Sequence, residues 1–243
     1  MAYELGLHPG GVYYIRPLYM RHSLFICLFL LSMVRLSAQQ QYLFSHLGVR
    51  DGLASNVVMA IEQDPKGYMW IATMGGLERY DGQRFLLFRH KKDDSGSIPN
   101  DNVMALRLDK HNRLWVLCQY NKIGYIDLDG LHYHPVQVDM EEADLAKQEG
   151  AIYTDSEGHV MLFLRREAPV AYDETTHTFT RAAIPFEMPK GWAAINMLED
   201  SVTHAYYLGS DSGLAKYDPA RHTLSYRDHN IDHDPIVARY GHL

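Results

Sequence analysis

The chain reads as all-β, a partial β-propeller of about four four-stranded antiparallel blades behind a cleaved N-terminal signal segment, and two periodicities carry that reading. Aspartates in turn contexts recur at Asp64, Asp109, Asp155 and Asp200, and tyrosines at Tyr80, Tyr125, Tyr172 and Tyr217, both about 45 residues apart. Within each period, short runs rich in Val, Ile, Leu, Phe and Tyr alternate with turns holding Gly, Pro, Asn or Asp, which is the pattern of successive strands. One four-stranded sheet cannot bury both faces, so units of this length stack face to face around an axis.

The N-terminus comes first in the chain. Met20-Arg21-His22 supplies a basic head, Leu24 to Val34 an apolar run, and Leu36-Ser37-Ala38 a small-residue cut site, so residues 20–38 read as a signal peptide cleaved after about Ala38. The run is shorter than the ~20 residues that span a bilayer, and Arg35 ends it. Residues 1–19 precede this complete signal and read as a mis-called start. Of the two cysteines, Cys27 lies inside the signal, which leaves Cys118 as a lone thiol in a mature chain that carries no membrane span.

The blades are expected within residues 42–228, at about 48–90, 98–138, 148–182 and 191–228, with 229–243 a tail or the start of a further blade. The first two are the clearest. Trp70 and Trp115 sit on second strands, where an aromatic fills the gap to the neighbouring blade, and Tyr207 is expected to do the same in the fourth. In the third, Leu162 stands where the tryptophan would be. Asp and Gly in the first turn supply the backbone conformations a tight hairpin needs.

Four segments together resemble the two-component regulator propeller repeat: Gly52-Leu53-Ala54-Ser55-Asn56, the run from Ile61 through Gln63-Asp64 and Gly67 to Trp70-Ile71-Ala72-Thr73, Gly76 to Gly82, and Ser97 to Val103. The likeness covers about residues 42–227 and weakens in the third and fourth blades, where Ser201-Val202-Thr203 replaces the Asp-x-x-Gly turn. It implies the N-terminal periplasmic sensor part of a hybrid two-component system that controls carbohydrate use. Such sensors also carry further blades, a β-sandwich, a membrane span, a kinase and a DNA-binding output. The sequence holds no counterpart of these, so the chain is expected to be a truncated gene product or a short form that needs further blades or self-association to cover its sheet edges.

The net charge of −7, with both signs interspersed, argues against a nucleic-acid surface and disfavours anionic partners. His132 and His134 share a strand face, and His229 and His233 lie near Asp232 and Asp234, but neither group brings a convincing third ligand, so no metal is expected and these read as surface polar residues. The turns Asp155-Ser156-Glu157-Gly158 and Asp127-Leu128-Asp129-Gly130 lack the alternating oxygen ligands of a calcium loop. There is no Gly-x-Ser-x-Gly, and Glu141-Glu142 falls in a polar helical insertion, so no catalytic residue and no cofactor are assigned.

Ligand binding in a propeller favours the rim made by loops between second and third strands together with the links entering each first strand. These loops are Thr73-Met74, Gln119-Tyr120-Asn121, Arg165-Arg166-Glu167 and Ser210-Asp211-Ser212. Gln119, Tyr120, Arg165 and Arg166 are the candidates, the arginines for an acidic sugar and Tyr120 for stacking on a ring, against the plainer reading of exposed loop residues. Two functions follow as expectations: a periplasmic, non-enzymatic sensor segment for oligosaccharides, or an exported propeller enzyme, a lyase or hydrolase acting on polysaccharide, which would need an acid–base cluster in the central funnel.

Overall fold

A computed structural model describes residues 3–7, 9–11, 13–17, 44–165 and 167–240. The chain divides into two compact units, residues 1–46 and 47–243. In the first, strands β1 (Tyr3–Leu7) and β2 (Tyr13–Pro17) form an antiparallel hairpin in which Tyr3 faces Pro17. Residues 20–38, read from the sequence as a signal peptide, lie outside the described residues. No described helix is long and apolar enough to cross a membrane.

The second unit is a run of four blades. Blade 1 holds β3 (Val58–Gln63), β4 (Met69–Thr73), β5 (Gly76–Tyr80) and β6 (Phe85–Phe88). Blade 2 holds β7 (Val103–Leu108), β8 (Arg113–Cys118), β9 (Ile123–Asp127) and β10 (Tyr133–Val138). Blade 3 holds β11 (Gly150–Thr154), β12 (Val160–Leu164), β13 (Val170–Asp173) and β14 (Thr178–Thr180). Blade 4 holds β15 (Ala194–Glu199), β16 (Tyr206–Ser210), β17 (Gly213–Asp218) and β18 (Thr223–Ser225). Each is an antiparallel meander. Blades 2 and 3 are also joined at their outer edges, where β10 and β14 pair in parallel through Gln137–Thr178 and Val138–Phe179, so the two sheets run on as one of eight strands. The insertion between them carries a single turn of helix, α1 (Glu142–Leu145), and a second helix, α2 (Pro235–Tyr240), follows blade 4.

The turn aspartates explain the period. Asp64 is buried; its Oδ1 accepts the backbone N–H groups of Lys66 and Tyr68, and its Oδ2 accepts the Trp70 indole N–H at 2.9 Å. Asp109 repeats this with His111, Arg113 and Trp115, the last at 2.8 Å. One carboxylate thus closes the first hairpin and holds the aromatic of the second strand, which is why the two residue types recur in phase. The same turn needs a left-handed backbone residue, supplied by Gly67 (φ +89°) and Gly158 (φ +86°), by Asn112 (φ +61°), and by His204 (φ +57°) in the longer turn of blade 4.

Between blades the packing is aromatic. Trp70, fully buried, packs with Leu106, Leu114, Val116 and Ile126 of blade 2. Trp115 meets Tyr172 and Phe179 of blade 3, ring centroids 4.8 and 5.5 Å away, near perpendicular as edge-to-face pairs prefer. Strand register corrects two sequence assignments. Glu62 faces Trp70, Arg107 faces Trp115, and Tyr153 faces Met161, so Met161 rather than Leu162 occupies the tryptophan position of blade 3; Leu162 points back to blade 2. Trp115 faces Tyr125 but Trp70 faces Arg79, one residue before Tyr80, so Tyr125 lies on the opposite sheet face from Tyr80, Tyr172 and Tyr217. The longer β8–β9 loop adds the residue that causes this, and in a strand a one-residue slip exchanges faces. Tyr207, paired with Leu198, does occupy the tryptophan position, half-buried, but its hydroxyl donates to Asp234 at 3.1 Å rather than to Asp200.

The links carry the remaining repeat motifs inward. Glu78, buried on β5, accepts the Ala54 N–H with both carboxylate oxygens at 3.0 Å and so seats the segment Gly52-Leu53-Ala54. Burial pushes the Glu78 carboxyl above its usual range. Ile98 of the Ser97–Val103 link plugs the joint between blades 1 and 2.

Two outcomes follow from this packing. Trp115→Phe removes the indole donor from a buried carboxylate and should lower the unfolding free energy by about 1–3 kcal/mol in denaturant titration. Cys118 is buried, with its thiol donating to the Asn100 carbonyl and its pKa pushed up to about 12 by burial, so it should resist thiol reagents at neutral pH and label only at the rate of unfolding.

Candidate functional site: a cleft at the propeller rim

The rim side of blades 3 and 4 carries an open cleft of about 850 Å³. One wall is the β12–β13 loop, Glu167-Ala168-Pro169, and the other is the link from blade 3 to blade 4, including Arg181 and Pro185 to Ala193. The link is built for this shape. Thr180 caps a 3-10 turn at Arg181–Ala183 by accepting the Ala182 N–H, and the segment is then stiffened by Pro185 and Pro189. Its far end is tied to the β16–β17 loop, where the Ala193 N–H donates to Asp211 Oδ1 at 3.0 Å and the Asp211 N–H to the Ala193 carbonyl.

Three side chains give the cleft its chemistry. Trp192 is half-buried, held edge-on to Tyr226 at 5.6 Å, so an indole is available as a stacking surface. Arg181 spans the cleft to Glu167 at 2.7 Å, and Lys190 lies on the same wall. Trp192, Lys190 and Arg181 went unnoticed in the sequence because they belong to the irregular link, where the repeat has no counterpart to compare.

The sequence-predicted rim residues are dispersed. Tyr120 is exposed, with φ +63°, and lines a separate cleft of about 440 Å³ beside Pro99 and Lys122. The Gln119 backbone N–H donates to the Asn102 carbonyl, while Asn121 turns inward and ties the α1 insertion through the carbonyls of Leu145 and Gln148, both at 2.8 Å. Arg165 pairs with Glu149 at 2.6 Å, away from the lining of the larger cleft. Arg166 lies outside the described residues. Thr73 and Ser210 are structural in the same way: each hydroxyl donates within its two-residue hairpin, to the carbonyls of Gly76 and Gly213.

Two further clusters have suggestive side chains. Ser156, Glu199 and His204 meet where blades 3 and 4 touch, but the one ring nitrogen His204 Nδ1 faces both Glu199 (2.8 Å) and Ser156 (3.1 Å), and the serine hydroxyl itself donates to Glu199 at 2.6 Å. A proton relay needs the two ring nitrogens to face different partners, so this group is an inter-blade tie. His134 stacks on Tyr125, and among the described residues no group of three or more His, Cys, Asp or Glu is placed to hold a metal ion.

The four stacked meanders with loop-built rim clefts define a β-propeller segment. Residues 52–75, the end of the entry link through the first hairpin of blade 1, match the family model described as two component regulator propeller. That segment of blade 1 is therefore similar to a two component regulator propeller repeat. Over 74 residues the chain is 36% identical to histidine kinase P4 of Formosa agariphila, an alignment covering 30% of this chain and 5% of that protein. Among solved structures it resembles the extracellular domain described for a hybrid two component system of B. thetaiotaomicron, with a TM-score of 0.59 and 20% identity over 76% of this chain and 26% of that one. YCF48 bound to D1 peptide, at a TM-score of 0.50 and 10% identity, covers 80% of this chain and 58% of the other, a likeness of fold alone. The chain thus spans a small part of the two-component proteins that it matches.

One pH dependence follows from the inter-blade contacts. Burial works to raise the Asp155 carboxyl, but hydrogen bonds from Tyr206 and His159, both at 2.7 Å, hold it below its ordinary value. A carboxyl lowered on folding stabilises above its unfolded pKa and loses that contribution as pH falls through the folded value. Unfolding free energy should therefore decline as pH drops below about 4, and Asp155→Asn should flatten that part of the profile.

Proposed function

We propose that this chain is the ligand-receiving propeller segment of a hybrid two-component sensor, working on the outer side of the cytoplasmic membrane, and that its rim cleft takes a short oligosaccharide bearing an acidic group. The observation that carries this is the cleft itself, which pairs a sugar-sized stacking surface at Trp192 with the cations Arg181 and Lys190. An indole face suits the apolar face of a pyranose, and a guanidinium suits a carboxylate. The family repeat and the likeness to histidine kinase P4 support a role in two-component signalling, with the kinase and DNA-binding steps belonging to other parts of such a system. A ligand that bridges the β12–β13 loop and the blade 3–4 link alters signalling only if it favours one arrangement of them over another.

Calorimetric titration with neutral and acidic oligosaccharides tests this. Trp192→Ala should weaken binding by about tenfold, as loss of a stacking aromatic does at a recognition site. Arg181→Gln should erase the preference for the acidic member of each pair while sparing the neutral one. Binding unaffected by both changes would remove the cleft from consideration, and product formation during the titration would favour a polysaccharide-acting enzyme.

A further inference from the structure

We propose that the gap between blades 3 and 4 is a binding site for a flat aromatic molecule of one or two rings, neutral or cationic, separate from the rim cleft. The case rests on comparing two neighbouring joints position by position. Between blades 2 and 3, the Arg113 guanidinium lies 5.2–5.3 Å from the ring centroids of Trp115, Tyr125 and Tyr172 and bonds to Asp109 and Glu174. Burial works against its charge, but the bonds to Glu174 and Asp109 hold it protonated above the ordinary guanidinium value. In that joint the guanidinium is packed among three rings and paired with two carboxylates.

Register carries each member of the clamp one blade forward. Arg113, four residues after its turn aspartate, becomes His159; Trp115 becomes Met161; its cross-strand partner Tyr125 becomes Ala171. Tyr172 becomes Tyr217, and Glu174, two residues beyond it, becomes Pro219. Four of the five positions lose bulk or charge together. The structure answers with a cavity of about 460 Å³, and all five forward positions line it. That volume falls within the roughly 300–1,000 Å³ of small-molecule sites.

The lining selects the ligand. Its floor is apolar, with Met161, Ala171 and the rings of Tyr206 and Tyr217. An apolar cavity is poorly hydrated and binds apolar, flat molecules readily. The turn carboxylate that a tryptophan would have satisfied is already served: Tyr206, reaching back from blade 4, donates to Asp155 in the place of the indole N–H. The site therefore asks for a ring to fill space more than for a donor to satisfy an acid. Glu157 at the mouth and Asp155 behind the floor disfavour an anionic ligand, while His204 and His222 give the mouth hydrogen-bonding edges.

The test uses the full chain and indole as the probe. Saturable indole binding is expected by ligand-observed NMR and calorimetry, with cross-relaxation from indole protons to the Met161 methyl. Met161→Trp and Ala171→Tyr each restore a missing ring of the clamp and should weaken indole binding by at least about tenfold, without lowering the thermal midpoint, because each fills existing space. Trp192→Ala, in the rim cleft, should leave indole binding unchanged. The proposal is overturned if indole shows no saturable binding, if it shows no contact with the Met161 methyl, or if Ala171→Tyr folds and binds indole as well as the native chain. The methyl contact decides the matter without any variant, should Met161→Trp not fold.

Discussion

The buried carboxylate at the first turn of blades 1 to 3 is the constraint on which the rest of the structure depends. In blades 1 and 2 it accepts turn N–H groups through one oxygen and an indole N–H through the other. A buried carboxylate left short of donors is costly, so the residue that closes the hairpin also dictates what stands six positions later. That ring then becomes the packing surface for the next blade. Local turn chemistry and inter-blade contact are coupled through a single side chain.

Blade 3 shows how the constraint survives when its usual partner is lost. Methionine can fill space but cannot donate, and Asp155 instead takes the hydroxyl of Tyr206 from the following blade together with the His159 ring. The donor thus comes across the joint rather than from within the blade. Electrostatic satisfaction is kept, but packing is not, because a hydroxyl at the end of a tyrosine does not occupy the volume of an indole beside the acid. A satisfied polar group next to an unfilled apolar space is what makes this joint unlike the two before it.

On the rim, the same separation of duties appears. Thr73 and Ser210 give their hydroxyls to the backbone of their own hairpins, and Asn121 gives its amide to the backbone of the α1 insertion. The link between blades 3 and 4, free of the repeat, is where an indole, a lysine and the arginine paired with Glu167 line a cleft. Rigid strands set the positions of the loops, and the irregular chain between them carries the recognition chemistry.

The propeller fold was legible in the sequence because its cause is local: an aspartate, a left-handed turn residue and a ring at fixed spacing within one hairpin, repeated. Trp70 and Trp115 could be placed for that reason. What depended on counting residues across loops of unequal length could not, and so Met161 rather than Leu162 holds the tryptophan position, and Tyr125 faces away from the tyrosines it appeared to match. The candidate sites were less legible still. Gln119, Tyr120 and Arg165 were visible as loop residues, yet only the packed blades decide that Arg165 is paired with Glu149, that Trp192 and Arg181 share a cleft, and that Tyr206 reaches Asp155 from another blade. The sequence by itself determined the repeat, since each blade's hairpin is specified by neighbours along the chain; the tertiary structure alone decided the clefts, since those are made by residues from different blades whose facing depends on register.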